Sequence, residues 1–296
     1  MFDQIKNLDI VKNARQGKVR DIYDLGDQLL IVTTDRISAF DVVFPNLIPD
    51  KGKILNGISS YLFKETKQII DNHFITDDPK QYPSKLAEFS KELVSRSMLV
   101  RKTRVIPFEC IVRGYIAGSA WNEYKRTNTV GNMMMPEDMQ ESQKFMHPLF
   151  TPSTKEESGH DENISYRELL NRMDRKLATF LKDKSVELFN FVHDKLLKEK
   201  IIMADTKFEF GTVGLDVLLI DEVCTPDSSR FWDMENYEIG TTPLSYDKQY
   251  IRDFVTASGW DKNPPAPELP EEVVMKTREK YIQIYKIITG DTDRQW

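Results

Sequence analysis

The chain has 296 residues, 40% hydrophobic and 30% charged, with a net charge of −6 at neutral pH. That is enough apolar material for a large core in one domain or two lobes, and the acidic balance argues against a nucleic-acid partner. No apolar run reaches the ~20 residues that cross a bilayer, the first residues lack the apolar stretch of a secretion signal, and Cys110 and Cys224 are too far apart for a metal finger, so a reducing, cytoplasmic setting with no membrane partner is expected.

In chain order, residues 19–24 alternate, 25–28 carry turn chemistry and 29–34 form a second apolar run, which predicts a hairpin directly after Gly17-Lys18. Residues 54–71 have Leu55, Ile58, Leu62, Ile69 and Ile70 near one helical face. Residues 99–116 are rich in β-branched side chains and predict two strands broken near Pro107. Residues 128–162 are polar and rich in Met and Pro, predicting a long loop. Ser165 and Glu168 have capping-box spacing, opening a helix that runs to about residue 200 with an interruption near Asp183. Strands follow at 201–204, 207–210 and 217–220, the last two flanking a turn with Gly211 and Gly214. A proline-rich connector at 263–267 leads into a final amphipathic helix over 271–289, with Val274, Thr277, Tyr281, Ile284 and Ile288 inward and Gly290 at its C′ position. The class is α+β: mostly antiparallel sheet with packed helices, divided at residues 1–110, 111–245 and 246–296.

Several stretches carry chemistry. Gly17-Lys18-Val19-Arg20 can bring backbone N–H groups and a cation to a phosphate, although alone it reads as an ordinary polar turn. Neither a GxxxxGK[ST] nor a GxGxxG pattern occurs, which excludes P-loop and dinucleotide-fold readings. The run from Thr34 to Asp41 sets two carboxylates, a guanidinium and a hydroxyl at a strand end, as a substrate contact or a plain turn. Arg113, Gly114, Gly118 and Ser119 suit a phosphate monoester, against the alternative of a strand-to-helix turn with a surface arginine. The four histidines are scattered without ligand spacing, so His160 is not read as a metal ligand, and residues 151–163 read equally as a solvated loop or a substrate lid.

The strongest local signal is the second hairpin. Asp205, Lys207 and Glu209 alternate and so share one strand face. With a turn centred near Leu215, Glu209 lies opposite Asp221, and such a pair suits magnesium, which takes a few carboxylates plus nucleotide phosphates. Lys207 beside them can neutralise a transferring phosphoryl group. Arg230, after the turn-forming Pro226-Asp227-Ser228-Ser229, falls close to the same place.

The stretches GKVRDIYDLG, TDRISAFD, IPDKGKILNGIS, PFECIVRGYIAGSAW, FTPSTKEESGHDENIS, ADTKFEFG and IDEVCTPDSSRFW, in that order over residues 17–233, resemble the SAICAR synthetase family. The chain departs most from the family's pattern at residues 131–147. The resemblance implies a β-rich, kinase-like ATP lobe, a larger α/β lobe and C-terminal helices. It implies an ATP- and magnesium-dependent ligase joining CAIR, a carboxylated aminoimidazole ribonucleotide, to L-aspartate through an acyl phosphate, in a monomer or homodimer. It places Gly17, Lys18 and Arg20 in a phosphate loop, adenine at the backbone from Arg104 to Ile106 and ribose at Glu109. It gives Mg²⁺ to Glu209 and Asp221, and the reacting carboxylate or γ-phosphate to Lys207. Arg113, Ser119 and Arg230 would take the ribonucleotide, and Asp35, Ser38 and Lys155 aspartate or the wall of its pocket. A small-molecule kinase on the same ATP lobe is the alternative, separated from the ligase by the aspartate dependence of ADP release; HRD and DFG motifs are absent.

Overall fold

Two antiparallel sheets form the scaffold. A computed structural model describes residues 3–155 and 162–296, so His160 and part of the expected lid lie outside the described residues. The first sheet runs in the order Asn13–Gln16, Arg20–Asp24, Gln28–Thr33, Ser97–Arg101, Phe74–Thr76. The predicted hairpin is there, with Ile22 opposite Ile31. An additional strand, Asn13–Gln16, makes Gly17-Lys18-Val19 the tip of an earlier hairpin, closed by a 2.7 Å bond from Gly17 N–H to the Arg20 carbonyl.

The second sheet is built on one long strand, Ile201–Val213, which pairs with Phe108–Tyr115, Ser229–Asp233, Asp216–Ile220 and Arg104–Val105. The expected break near Pro107 separates Arg104–Val105 from Phe108–Tyr115, both in this sheet, and the chain changes sheets earlier, between Arg101 and Arg104, so the stretch holds three strands rather than two. The strands expected at 201–204 and 207–210 are this single strand, irregular between Met203 and Asp205. Its two faces differ. Phe208 and Phe210, with Cys110 and Val112 of the neighbouring strand, are buried in one core with Leu181, Leu188, Phe189 and Val192 of the helix Arg175–Lys198. Each large apolar side chain so buried contributes about 1.5–3 kcal/mol. The alternate positions, Asp205, Lys207 and Glu209, therefore point away from the helix.

Four expectations change. The stretch expected as a loop carries strands at Thr129–Val130, Met133–Met134, Lys144–Phe150 and Ser153–Thr154. Lys144–Phe150 is the outer strand of the second sheet, where Pro148 is tolerated because an edge leaves one side free of ladder bonds. The helix break is at Met173-Asp174, not Asp183. Asp174 accepts the Leu177 N–H and starts a fresh helix that runs unbroken to Lys198. The helix expected over 54–71 is Lys51–Glu65 followed by a 3₁₀ turn, Thr66–Gln68. In the second hairpin Val213 pairs with Asp216, so Glu209 faces Ile220, not Asp221.

The N-cap half of the capping box is formed, Ser165 Oγ accepting the Glu168 N–H at 3.1 Å, while the Glu168 carboxylate accepts from Arg172. The last helix, Glu271–Thr289, ends at Gly290 with φ 72°, buries all five residues expected on its inner side and packs on Lys51–Glu65. Ahead of it lies an unexpected helix, Gln249–Ala257. No described helix is long and apolar enough to cross a membrane.

Candidate active site

The charged face of the long strand adjoins the first sheet through Arg20, which reaches Asp221 and Glu222 just beyond the paired strand Asp216–Ile220. At its centre Lys207 Nζ donates to Glu109 at 2.5 Å and to Glu209 at 3.0 Å, and Lys155 donates to the other oxygen of Glu209. Burial works against the charge on Lys207, but Glu209 and Glu109 outweigh it and raise its pKa. Burial likewise opposes ionisation of Glu209, and Lys207 and Lys155 prevail, bringing it down to about 2. Both groups are charged at neutral pH.

Asp221 reaches this cluster by a route the alternation rule does not give. It follows the last paired residue and has a φ of 69°, a left-handed conformation that ends strand geometry. There it accepts from Arg20 at 2.9 Å, and Arg20 also donates to Glu222 at 3.0 Å. Burial, with Glu209 and Glu222 nearby, pushes Asp221 up to about 6 despite Arg20. Among the described residues no group of three or more His, Cys, Asp or Glu is arranged to hold a metal. Two carboxylates completed by phosphate oxygens fit magnesium, which seldom uses an all-protein cage.

Further along the same face, Asp205 Oδ2 accepts from Arg113 at 3.0 Å and from Arg230 at 2.5 Å. Arg113 also donates to Thr151 Oγ1 at 3.0 Å and Ser119 Oγ at 3.2 Å. Arg113, Ser119 and Arg230, distant in sequence, are thus brought together. Gly118 lets Arg230 lie there: its φ is 55°, and an added Cβ would stand 2.2 Å from the guanidinium. Ser119 and Arg230 line a cavity of about 620 Å³ whose walls include Ser38, Asp41, Lys248, Arg252 and Lys262. Four of these residues are cationic and one is acidic, which suits an anionic ligand.

The remaining expected residues are placed as follows. Gly17 and Lys18 form the hairpin tip, held by Arg36, which donates to both their carbonyls and to Asp21. Lys18 is exposed and pairs with Asp41 at 2.5 Å. Arg104 is exposed, while Ile106 uses its N–H on Phe210 and accepts from Phe108, so its own backbone groups are already engaged. Glu109 is committed to Lys207 and to Ser153, 3.1 Å away. Asp35 is not a wall of the cavity. It accepts the Gly52 N–H at the start of Lys51–Glu65 and both terminal nitrogens of Arg96 at 3.2 Å. Lys155 stands at Glu209 and is not a wall of the cavity either. Lys248 and Arg252 were missed by sequence reasoning, yet their spacing of four, one helical face, was a usable signal.

Buried carboxylates and lysines on one sheet face, beside a guanidinium pair and a cationic cavity, suit the site of an enzyme whose ligands are anionic. The SAICAR synthetase family model matches residues 13–267. Phosphoribosylaminoimidazole-succinocarboxamide synthase of Thermodesulfovibrio yellowstonii is 49% identical over 96% of this chain and 97% of its own, and that of Geobacter sulfurreducens 48% identical over 95% of each. The structure of SAICAR synthase from Saccharomyces cerevisiae complexed with SAICAR superposes with a TM-score of 0.87 at 42% identity, covering 97% of both chains. A SAICAR synthetase in complex with ADP, 24% identical over 96% of this chain and all of its own, shares the fold at a TM-score of 0.69. The chain belongs to the SAICAR synthetase family, ligases of purine biosynthesis that condense CAIR with aspartate.

Proposed function

We propose that this face activates the CAIR carboxylate with ATP and then passes it to aspartate. A carboxylate does not acylate an amine at neutral pH because its oxygen is too poor a leaving group. The γ-phosphoryl group of ATP moves to a carboxylate oxygen; its bond to the bridging oxygen breaks and ADP leaves. The aspartate nitrogen then attacks the acyl carbon, the carbon–oxygen bond to phosphate breaks, and the departing phosphate carries away the amine proton.

In this reading the Gly17-Lys18 tip lies over the triphosphate, with Arg20 beneath it. Arg104 and its neighbours up to Ile106 lie beside adenine, and Glu109 faces the ribose hydroxyls. Glu209 and Asp221 would hold Mg²⁺, which when bound neutralises charge on the β- and γ-phosphates. Lys207 and Lys155 hold the transferring group in line and offset its charge. Arg113, Ser119 and Arg230 bind the phosphate of the ribonucleotide. Aspartate shares the cationic cavity with that phosphate: Ser119 and Arg230 serve the phosphate, Lys248 and Arg252 meet the two carboxylates of aspartate, and Ser38 adds a hydroxyl. Asp35, fixed by Gly52 and Arg96, contacts neither the ligand nor the cavity in this reading.

The observation that carries this reading is the shared face on which Glu209 and Lys207 stand beside the guanidinium pair Arg113 and Arg230, both on Asp205. A coupled assay of ADP release tests it. ADP release requires both CAIR and aspartate, and Glu209→Gln lowers turnover by roughly a hundredfold or more, as expected when a charge-stabilising contact is lost, and raises the magnesium needed. ADP release independent of aspartate would point to a kinase, and near wild-type turnover of Glu209→Gln at low magnesium would remove the metal assignment.

A further inference from the structure

Behind the cationic cavity lies a buried network that the chemistry above does not use. Asp227, in the loop before Ser229–Asp233, accepts from Lys51 at 2.8 Å and from Lys248 at 3.1 Å on one oxygen, and from the Tyr281 hydroxyl at 3.0 Å on the other. These partners come from three helices: Lys51 opens Lys51–Glu65, Lys248 directly precedes Gln249–Ala257, and Tyr281 lies within Glu271–Thr289. The Lys51 side chain is fully buried, that of Asp227 is 3% exposed and that of Lys248 10%. Of the four, only Lys248 is a wall of the cavity.

Joining three helices does not by itself require two buried ammonium groups. An apolar contact of the same volume often does so at equal or lower cost. Burial opposes the charge on Asp227, but Lys248 and Lys51 hold its pKa well below the usual carboxylate range. Burial, then Asp227, keeps Tyr281 protonated as a donor. One carboxylate shared by two ammoniums leaves each incompletely neutralised. Lys51 has the field of Glu222 as well; Lys248 faces the cavity.

We propose that Asp227 is a positioning residue for the amino-acid substrate: held from behind by Lys51 and Tyr281, it fixes the Lys248 ammonium at the cavity wall, part-neutralised and ready for a carboxylate. This rests on the reading that the cavity takes aspartate.

The test is steady-state kinetics of the full chain carrying Tyr281→Phe or Lys51→Met, with thermal melts alongside. Neither side chain lines the cavity. Tyr281→Phe removes one hydrogen bond to Asp227 and raises the aspartate KM about five-fold, leaving the KM for ATP unchanged. Lys51→Met lets Asp227 neutralise Lys248 alone and raises the aspartate KM by roughly ten-fold, the scale of a lost charge-assisted contact. A lower Tm with an unchanged aspartate KM, or an equal rise in the KM of every substrate, would overturn the proposal. Should Lys51→Met fail to fold, Tyr281→Phe decides alone. Lys248→Met tells the two ideas apart. If it leaves the aspartate KM unaltered, the cavity assignment itself falls. If it raises that KM while the Tyr281 and Lys51 variants do not, only the role of Asp227 falls.

Discussion

Asp205→Asn is the most exacting test of the guanidinium pair. In the wild type one carboxylate oxygen takes Arg113 at 3.0 Å and Arg230 at 2.5 Å, and the Arg113 and Asp205 side chains are each 5% exposed. The substitution keeps the shape but removes the one carboxylate paired directly with both guanidiniums. The amide oxygen can still accept from both guanidiniums, but it carries no net charge to balance them. Breaking a buried pair by neutralising one partner costs about 3–5 kcal/mol. For a chain of this size that is a fall in Tm of roughly 5–8 °C. The arginines also lose their common anchor, so the ribonucleotide KM rises about ten-fold or more, as when a fixed charge-assisted contact is lost, while the KM for ATP stays put. Scanning calorimetry and initial-rate kinetics measure the two effects. A Tm within about 2 °C of wild type together with an unchanged ribonucleotide KM would show that Asp205 is not the counter-ion that sets this pair.

Gly118→Ala places a methyl 2.2 Å from the Arg230 guanidinium at a φ of 55°; the strain costs about 1 kcal/mol, and displacement of Arg230 raises the ribonucleotide KM without changing the magnesium dependence of the enzyme. His73 is buried against Phe63, and burial first, then Arg20, takes its pKa down to about 3. Its folded pKa lies below the unfolded value of about 6.5, so its contribution to stability is complete above pH 6.5 and is lost as pH falls toward 3, by about 1.4 kcal/mol per unit. His73→Phe therefore flattens the acid side of the stability profile. Urea unfolding at pH 4.5 and 7.5 checks this, and an unchanged difference between the two would refute it.

Local patterns in the sequence carried the elements whose signals are short-range. The N-cap at Ser165, the glycine after Thr289, the hairpin at 22–31 and the alternation of Asp205, Lys207 and Glu209 follow from periodicity and capping, which depend on near neighbours. The family itself was legible because seven motifs occur in order. Segments stabilised only by distant partners were not legible. Lys144–Phe150 lacks a clear strand signal, and it is one because Phe108–Tyr115 offers it an edge.

The same division runs through the site. Sequence alone determined which residue types stand along the strand, and therefore that one face is charged and the other apolar. Only the tertiary structure decided that Asp221 joins Glu209 through a left-handed residue rather than by direct pairing, that Asp35 serves Gly52 and Arg96, and that Lys248 and Arg252 close the cavity. The physical reason is common to all three. A side chain's face follows from its own strand, but its partner depends on loops and helices that arrive from far along the chain, and the free energy of those contacts is set by burial and charge at the meeting point.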